Sequence, residues 1–169
     1  MALLAGFAHP CSSSGAAPDK LESLAAAGQI QQDAPVKAAS EMAIKASPQK
    51  VWRILTAIDE WPTWLSNVSA AHINGALEPG TVFTWTNGGA KIKSRIALVQ
   101  RNEQIGWTGT VYRARAIHLW SMQPLTGGST LVKTRESMDG FLLSVFYSSK
   151  DLANSQQIWL EALKHKAEE

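Results

Sequence analysis

The sequence of 169 residues contains a single cysteine, Cys11. An intrachain disulfide is therefore excluded, as is a zinc site built on cysteine. No apolar run approaches the length of a membrane-spanning helix. Charge is sparse: 18% of residues are charged and the net charge is +2, so the overall balance names no partner. The four histidines, His9, His72, His118 and His165, lack the spacing of metal ligands. There is no phosphate-binding glycine loop, because Asn87-Gly88-Gly89 reads as a hairpin turn, and no serine nucleophile elbow. No metal and no other cofactor is expected. Against these absences stand seven tryptophans, Trp52, Trp61, Trp64, Trp85, Trp107, Trp120 and Trp159, all after residue 50. Trp is a large, rigid, amphipathic side chain suited to cores and ligand sites alike.

The length fits one domain with a substantial core. Residues 1–35 read as a flexible N-terminal extension and residues 36–169 as the domain. Within the extension, Met1–Ala8 is short and apolar, and Leu21–Ala27 has the makings of a helical turn or two before Gly28. Cys11 followed by Ser12-Ser13-Ser14-Gly15 is similar to the start of a mature bacterial lipoprotein. A remnant signal, with export or a lipid anchor through Cys11, is thus the alternative to the cytoplasmic location otherwise expected. No Lys or Arg precedes the apolar run, and Pro10 sits directly before the cysteine, which weighs against it.

The most informative stretch runs from Val111 to Met138. It reads as two strands joined near Gly127-Gly128. Side chains alternate faces along a strand. In the first strand the even set, Tyr112, Ala114, Ala116, His118, Trp120 and Met122, has no permanent charge, whereas the odd set carries Arg113 and Arg115. In the second, Thr130, Val132, Thr134 and Glu136 oppose Lys133 and Arg135. The even residues are therefore expected inside and the odd ones in water. A hairpin centred on Gly127 sets His118 opposite Glu136, Trp120 opposite Thr134 and Met122 opposite Val132, within side-chain contact. A Glu beside a His would hold one tautomer and raise the basicity of the imidazole, as in a general base. The plainer reading of the pair is a polar anchor for a ligand carbonyl or hydroxyl, or a buried pair that satisfies itself.

Elsewhere, strands are predicted at 36–46, 68–76, 81–87, 90–100 and 104–109. Ser47-Pro48 signals a helix start, and Asp59-Glu60-Trp61-Pro62 a second short helix. A long C-terminal helix begins near Lys150-Asp151, with Leu152, Trp159, Leu160 and Leu163 on one stripe. The link from Phe141 to Tyr147 is apolar for a surface segment. These elements give an α+β architecture: a curved antiparallel sheet of about seven strands wrapped on the C-terminal helix, with two short helices between strands one and two. The apolar sheet face must be covered, and only the last helix is long enough to do it. A cavity between them follows.

The stretch Ile44–Leu65, IKASPQKVWRILTAIDEWPTWL, resembles the opening of the SRPBCC (START-like, Bet v 1-like) superfamily, and in particular its polyketide cyclase/dehydrase-like branch. Leu77–Trp85, Ile105–Gly109, Ala116–Trp120 and Thr134–Ser137 resemble its later blocks. The resemblance covers about residues 36–168 and implies the helix-grip fold. It also implies that Trp61 and Trp64 border the cavity mouth, as a gate or as a cap on the core. It does not choose among the superfamily's lipid carriers, hormone receptors and cyclases.

Three functions are carried forward. The first is binding of a small apolar or aromatic molecule, such as a lipid, polyketide-like or polycyclic ligand, by Trp85, Ile96, Trp107, His118, Trp120, Met122, Thr134, Glu136 and Trp159. The second is a cyclase or dehydratase-type enzyme with His118 as acid/base and Glu136 orienting it. The third is an interaction domain using the outer sheet face, where Lys91, Lys93, Arg95, Arg113, Arg115, Lys133 and Arg135 collect; weak contact with an anionic membrane belongs here. That face lacks interleaved aromatics, so nucleic-acid binding is not expected. A roomy cavity favours the first two and a filled one the third. The sequence leaves the oligomeric state open.

Overall fold

The computed structural model describes residues 19–169. The expectations for Cys11 and the apolar stretch at 1–8 lie outside these residues. The elements in order are α1 (Lys20–Ala26), β1 (Val36–Ile44), α2 (Pro48–Thr56), a 3-10 turn (Ile58–Glu60), α3 (Trp61–Trp64), β2 (Val68–Ile73), β3 (Val82–Asn87), β4 (Ala90–Gln100), β5 (Gln104–Val111), β6 (Ala114–Pro124), β7 (Thr130–Gly140), α4 (Leu143–Phe146) and α5 (Ser149–Glu168). The strands form one seven-stranded sheet in the order β1-β7-β6-β5-β4-β3-β2, and each neighbouring pair is antiparallel. This is the helix-grip arrangement, with α5 against the inner face.

The local signals explain the helix starts. The Ser47 hydroxyl accepts from the Lys50 amide at 3.3 Å, and Pro48 occupies the first turn of α2. At α5, Ser148 and Asp151 satisfy each other's backbone amides in a capping box. The β6–β7 register is as the parity argument requires: His118 faces Glu136, Trp120 faces Thr134 and Met122 faces Val132. Trp61 is the centre of the core. It is fully buried, meets Phe83, Trp85 and Trp159 edge-on at 5.0–5.7 Å, and donates its indole N–H to the Leu55 carbonyl at 2.9 Å. Trp64 lies edge-on to Trp159 at 6.1 Å. Neither borders the cavity, contrary to what the resemblance implied: Trp61 is inside the core and the half-buried Trp64 packs on its edge.

Three expectations are corrected. Tyr112 does not face inward: it sits in the β5–β6 turn with φ 52° and is 92% exposed. Alternation carried the strand one turn too far because no Gly, Pro or Asn marks the bend. Residues 19–35 are not a loose extension. Helix α1 lays Leu21 and Ala25 on the outer sheet face, where they bury Ile117 and Leu119. Two odd residues of β6, Ile117 and Leu119, are therefore dry although they lie on the face that carries Arg115. Gly106 makes the room: a Cβ there would lie 2.5 Å from Leu119 Cδ2. The same segment covers much of the basic outer face. Glu22 pairs with Arg95 at 3.1 Å, Asp19 with Arg115 at 2.9 Å, and the Gly28 carbonyl accepts from Arg135 at 2.9 Å. Glu41 on β1 pairs with Lys133 at 3.2 Å. Among the described residues, only Lys91, Lys93 and Arg113 of the seven cations are left without such a partner, so the broad cationic face does not exist as one surface. No helix among the described residues is long and apolar enough to cross a membrane.

Candidate functional site

The inner face tapers. Along β6 the inward residues read Ala114, Ala116, His118, Trp120, Met122, small at one end and large at the other. On β5 the corresponding pair is Gly109 and Trp107, and on β4 Ser94 and Ile96. At the large end Trp120, Met122, Ile96 and Val132 pack solidly with Trp61 and helices α2 and α5. At the small end side chains do not reach α5, and a cavity of about 90 Å³ remains. Trp85, Trp107 and Trp159 give it flat walls, His118 and Glu136 a polar side, and Tyr147 closes it towards the α4 segment.

Five of the expected ligand-binding residues line this cavity: Trp85, Trp107, His118, Glu136 and Trp159. Ile96, Trp120, Met122 and Thr134 do not. They face inward as expected but lie deeper, in the filled end. Thr134 belongs to the site through His118. Residues not foreseen include Ile92, Ser94, Ala116 and Met138, which share the inward parity of their strands, and Tyr147. Ser155 and Gln156 also line it, and their signal was present: with Leu152 and Trp159 they fall on one helical stripe. Gln156 is already satisfied, accepting from Ser40 Oγ at 3.0 Å and donating to the Ala38 carbonyl at 3.3 Å.

The polar side is a relay of three groups. His118 Nε2 is 2.8 Å from Thr134 Oγ1, and its Nδ1 is 3.5 Å from Glu136 Oε2. Trp107 and Trp120 flank the imidazole at 4.9 and 5.2 Å. The pair does not have the charges expected of it. Burial removes water from both groups and penalises both charged forms. It lowers His118 from 6.5 to about 3 and pushes Glu136 from 4.5 up to about 8. Burial therefore works against the gain in imidazole basicity expected of the contact, and favours a neutral imidazole beside a protonated carboxyl. The imidazole tautomer decides which partner donates in the Nε2–Thr134 contact. Burial also raises the Tyr147 phenol, with Glu136 adding to the effect and the Ser155 hydroxyl opposing it. Among the described residues no cluster of His, Cys, Asp and Glu has the makings of a metal site.

A curved sheet gripping a long C-terminal helix, with a cavity between them, defines the START-like class. The chain belongs to the polyketide cyclase/dehydrase and lipid transport family, whose model matches residues 35–168. Solved structures agree on the fold. A hypothetical protein from Helicobacter pylori aligns with a TM-score of 0.71 at 17% identity, covering 80% of this chain and 90% of that one. A START superfamily protein from Mycobacterium smegmatis aligns at 0.68 and 16%, covering 78% and 97%. The Zhui aromatase/cyclase from Streptomyces sp. R1128 aligns at 0.63 and 12%, covering 78% and 93%. Compared with curated protein sequences, the chain matches none.

Proposed function

We propose that the chain binds a small apolar or aromatic molecule in the cavity between sheet and α5, with Glu136 as its polar anchor. The observation that carries this reading is a buried carboxyl on the wall of a tryptophan-lined space, where burial favours its protonated form. A neutral acid offers a hydrogen-bond donor to a ligand carbonyl or hydroxyl without the cost of burying a charge. The volume limits the ligand. About 90 Å³ is below the few hundred Å³ usual for pockets that enclose a whole drug-sized molecule. The ligand inserts one end, a ring edge or the tip of a chain, and its remainder leaves past Tyr147. A bulky sterol-like or polycyclic body is disfavoured.

The test is native mass spectrometry of the purified protein, to find any co-purifying molecule, with titration of tryptophan emission by naphthol and by decanoate. Saturable quenching or shift that is weakened in Glu136→Gln supports the reading. An empty protein whose emission neither probe moves overturns it.

One observation favours a second reading as a cyclase or dehydratase-type enzyme. A carboxyl that keeps its proton to about pH 8 is suited to general acid work at neutral pH. Glu136 would then give its proton to the leaving hydroxyl, its carboxylate would take the proton lost from the neighbouring carbon, and His118 would orient it. Recovery of a bound molecule with the elements of water lost after incubation supports this reading, and recovery of the molecule unchanged overturns it.

A further inference from the structure

Three loops meet at the hollow end of the fold. They are the β3–β4 turn at Gly88-Gly89, the β5–β6 turn at Tyr112-Arg113, and the segment 141–147 between β7 and α5. Their proximity follows from the register: Asn87 faces Ala90, Lys93 faces Thr110, Val111 faces Ala114, and Ala114 faces Gly140. Seven large apolar or aromatic side chains are exposed among the described residues, and five are here: Tyr112 at 92%, Phe146 at 83%, Phe141 at 76%, Val145 at 67% and Leu142 at 51%. Leu142 holds a left-handed backbone, φ 60° and ψ 13°. That conformation costs a residue with a Cβ about 1 kcal/mol or more, and here it starts the turn that presents both phenylalanines to solvent. Contiguous exposed apolar surface marks an interaction site.

We propose that this rim docks onto the surface of an anionic phospholipid bilayer, with Phe141 and Phe146 entering the hydrocarbon boundary. Charge selects the occupant. Lys91, Arg113 and Lys150 flank the same loops and have no acidic partner among the described residues, while the neighbouring acids are engaged: Asp139 with Arg115 and Gln31, and Asp151 in the cap of α5. A second copy docking face to face would set like charges against each other, whereas a bilayer offers anions and hydrocarbon together. The rim also surrounds the cavity mouth at Tyr147, so docking would let an apolar molecule pass without crossing water. That consequence rests on the ligand reading above; the docking itself does not.

The experiment is co-sedimentation of the full chain with vesicles of phosphatidylcholine containing a minority of phosphatidylserine. Binding is expected, stronger than to phosphatidylcholine alone and weakened by salt. Phe141→Ser and Phe146→Ser should each lower partitioning on the order of tenfold, and Lys150→Gln about fivefold. Ile158→Ser, exposed on α5 away from the rim, should leave it unchanged. Absence of binding to the mixed vesicles overturns the proposal, as does binding undiminished in the double phenylalanine variant. A dimer in velocity sedimentation that the double variant dissolves overturns it in favour of a second copy. Naphthol titration of the double variant without vesicles should match the parent. Loss of probe response in both proteins would count against the ligand reading alone.

Discussion

The two ends of the inner sheet face are made by the same strands and differ in what those strands carry inward. At one end Trp120, Met122, Ile96 and Val132 meet Trp61 and leave no room. At the other, Ala116, Gly109 and Ser94 stop short of α5 and leave about 90 Å³. Period two decides which face a residue joins. Side-chain volume along the strand decides whether that face is core or cavity. His118 stands at the boundary, with Thr134 on the packed side and Glu136 on the open side.

The largest expected effect breaks the packed end. Trp61→Ala should cost about 3–5 kcal/mol in urea unfolding, because every neighbour loses a contact and the Leu55 carbonyl loses its donor. A cost under about 1 kcal/mol would mean that this end is not close-packed.

The polar boundary should appear as a pH dependence. Glu136 binds its proton more tightly in the folded state, so its stabilisation is full below 4.5 and is lost as pH rises through about 8. His118 works the other way, its contribution present above 6.5 and lost as pH falls towards about 3. Between 4.5 and 6.5 the two slopes oppose each other. From 6.5 to 8 only Glu136 titrates, and stability should fall by about 2 kcal/mol. Denaturant midpoints measured across that window test it: Glu136→Gln should flatten the fall, and an unchanged slope would assign it to another group. Next in size, Thr134→Val should cost about 1–3 kcal/mol, because the buried His118 Nε2 loses its hydrogen-bond partner. A neutral outcome would mean that this contact adds nothing to stability.

The smallest effect on stability sharpens the contrast between the ends. Ala116→Leu adds bulk to the hollow end and should leave stability unchanged or raise it by up to about 1 kcal/mol, while abolishing the naphthol response. Val132→Phe adds bulk to the packed end and should cost about 1–3 kcal/mol. Equal responses in calorimetry would erase the distinction.

The sequence carried the framework legibly. Gly127-Gly128 and the parity of Val111–Met138 were enough to set His118 against Glu136, and Ser47-Pro48 was enough to start α2. Depth was not legible from parity. Trp85 and Trp120 both face inward, yet one lines the cavity and the other fills the core. The clue was the gradient from Ala116 to Met122, which alternation alone does not weigh. Depth also governs charge: a His–Glu contact raises basicity in water, and burial reverses that. Leu21–Ala27 announced a helical turn but not its partner, because that partner is a pair of apolar positions, Ile117 and Leu119, nearly a hundred residues later in the chain.

That helix makes two distant segments depend on each other. The family model begins at residue 35, after α1. A chain trimmed to the shared region would carry Ile117 and Leu119 as a bare greasy strip on its back, and would tend to self-associate. Substitutions in the two places are therefore not independent. A polar residue at 117 or 119 would set an unpaired group under Leu21 and Ala25, and a polar residue at 21 would do the same to Ile117 and Leu119.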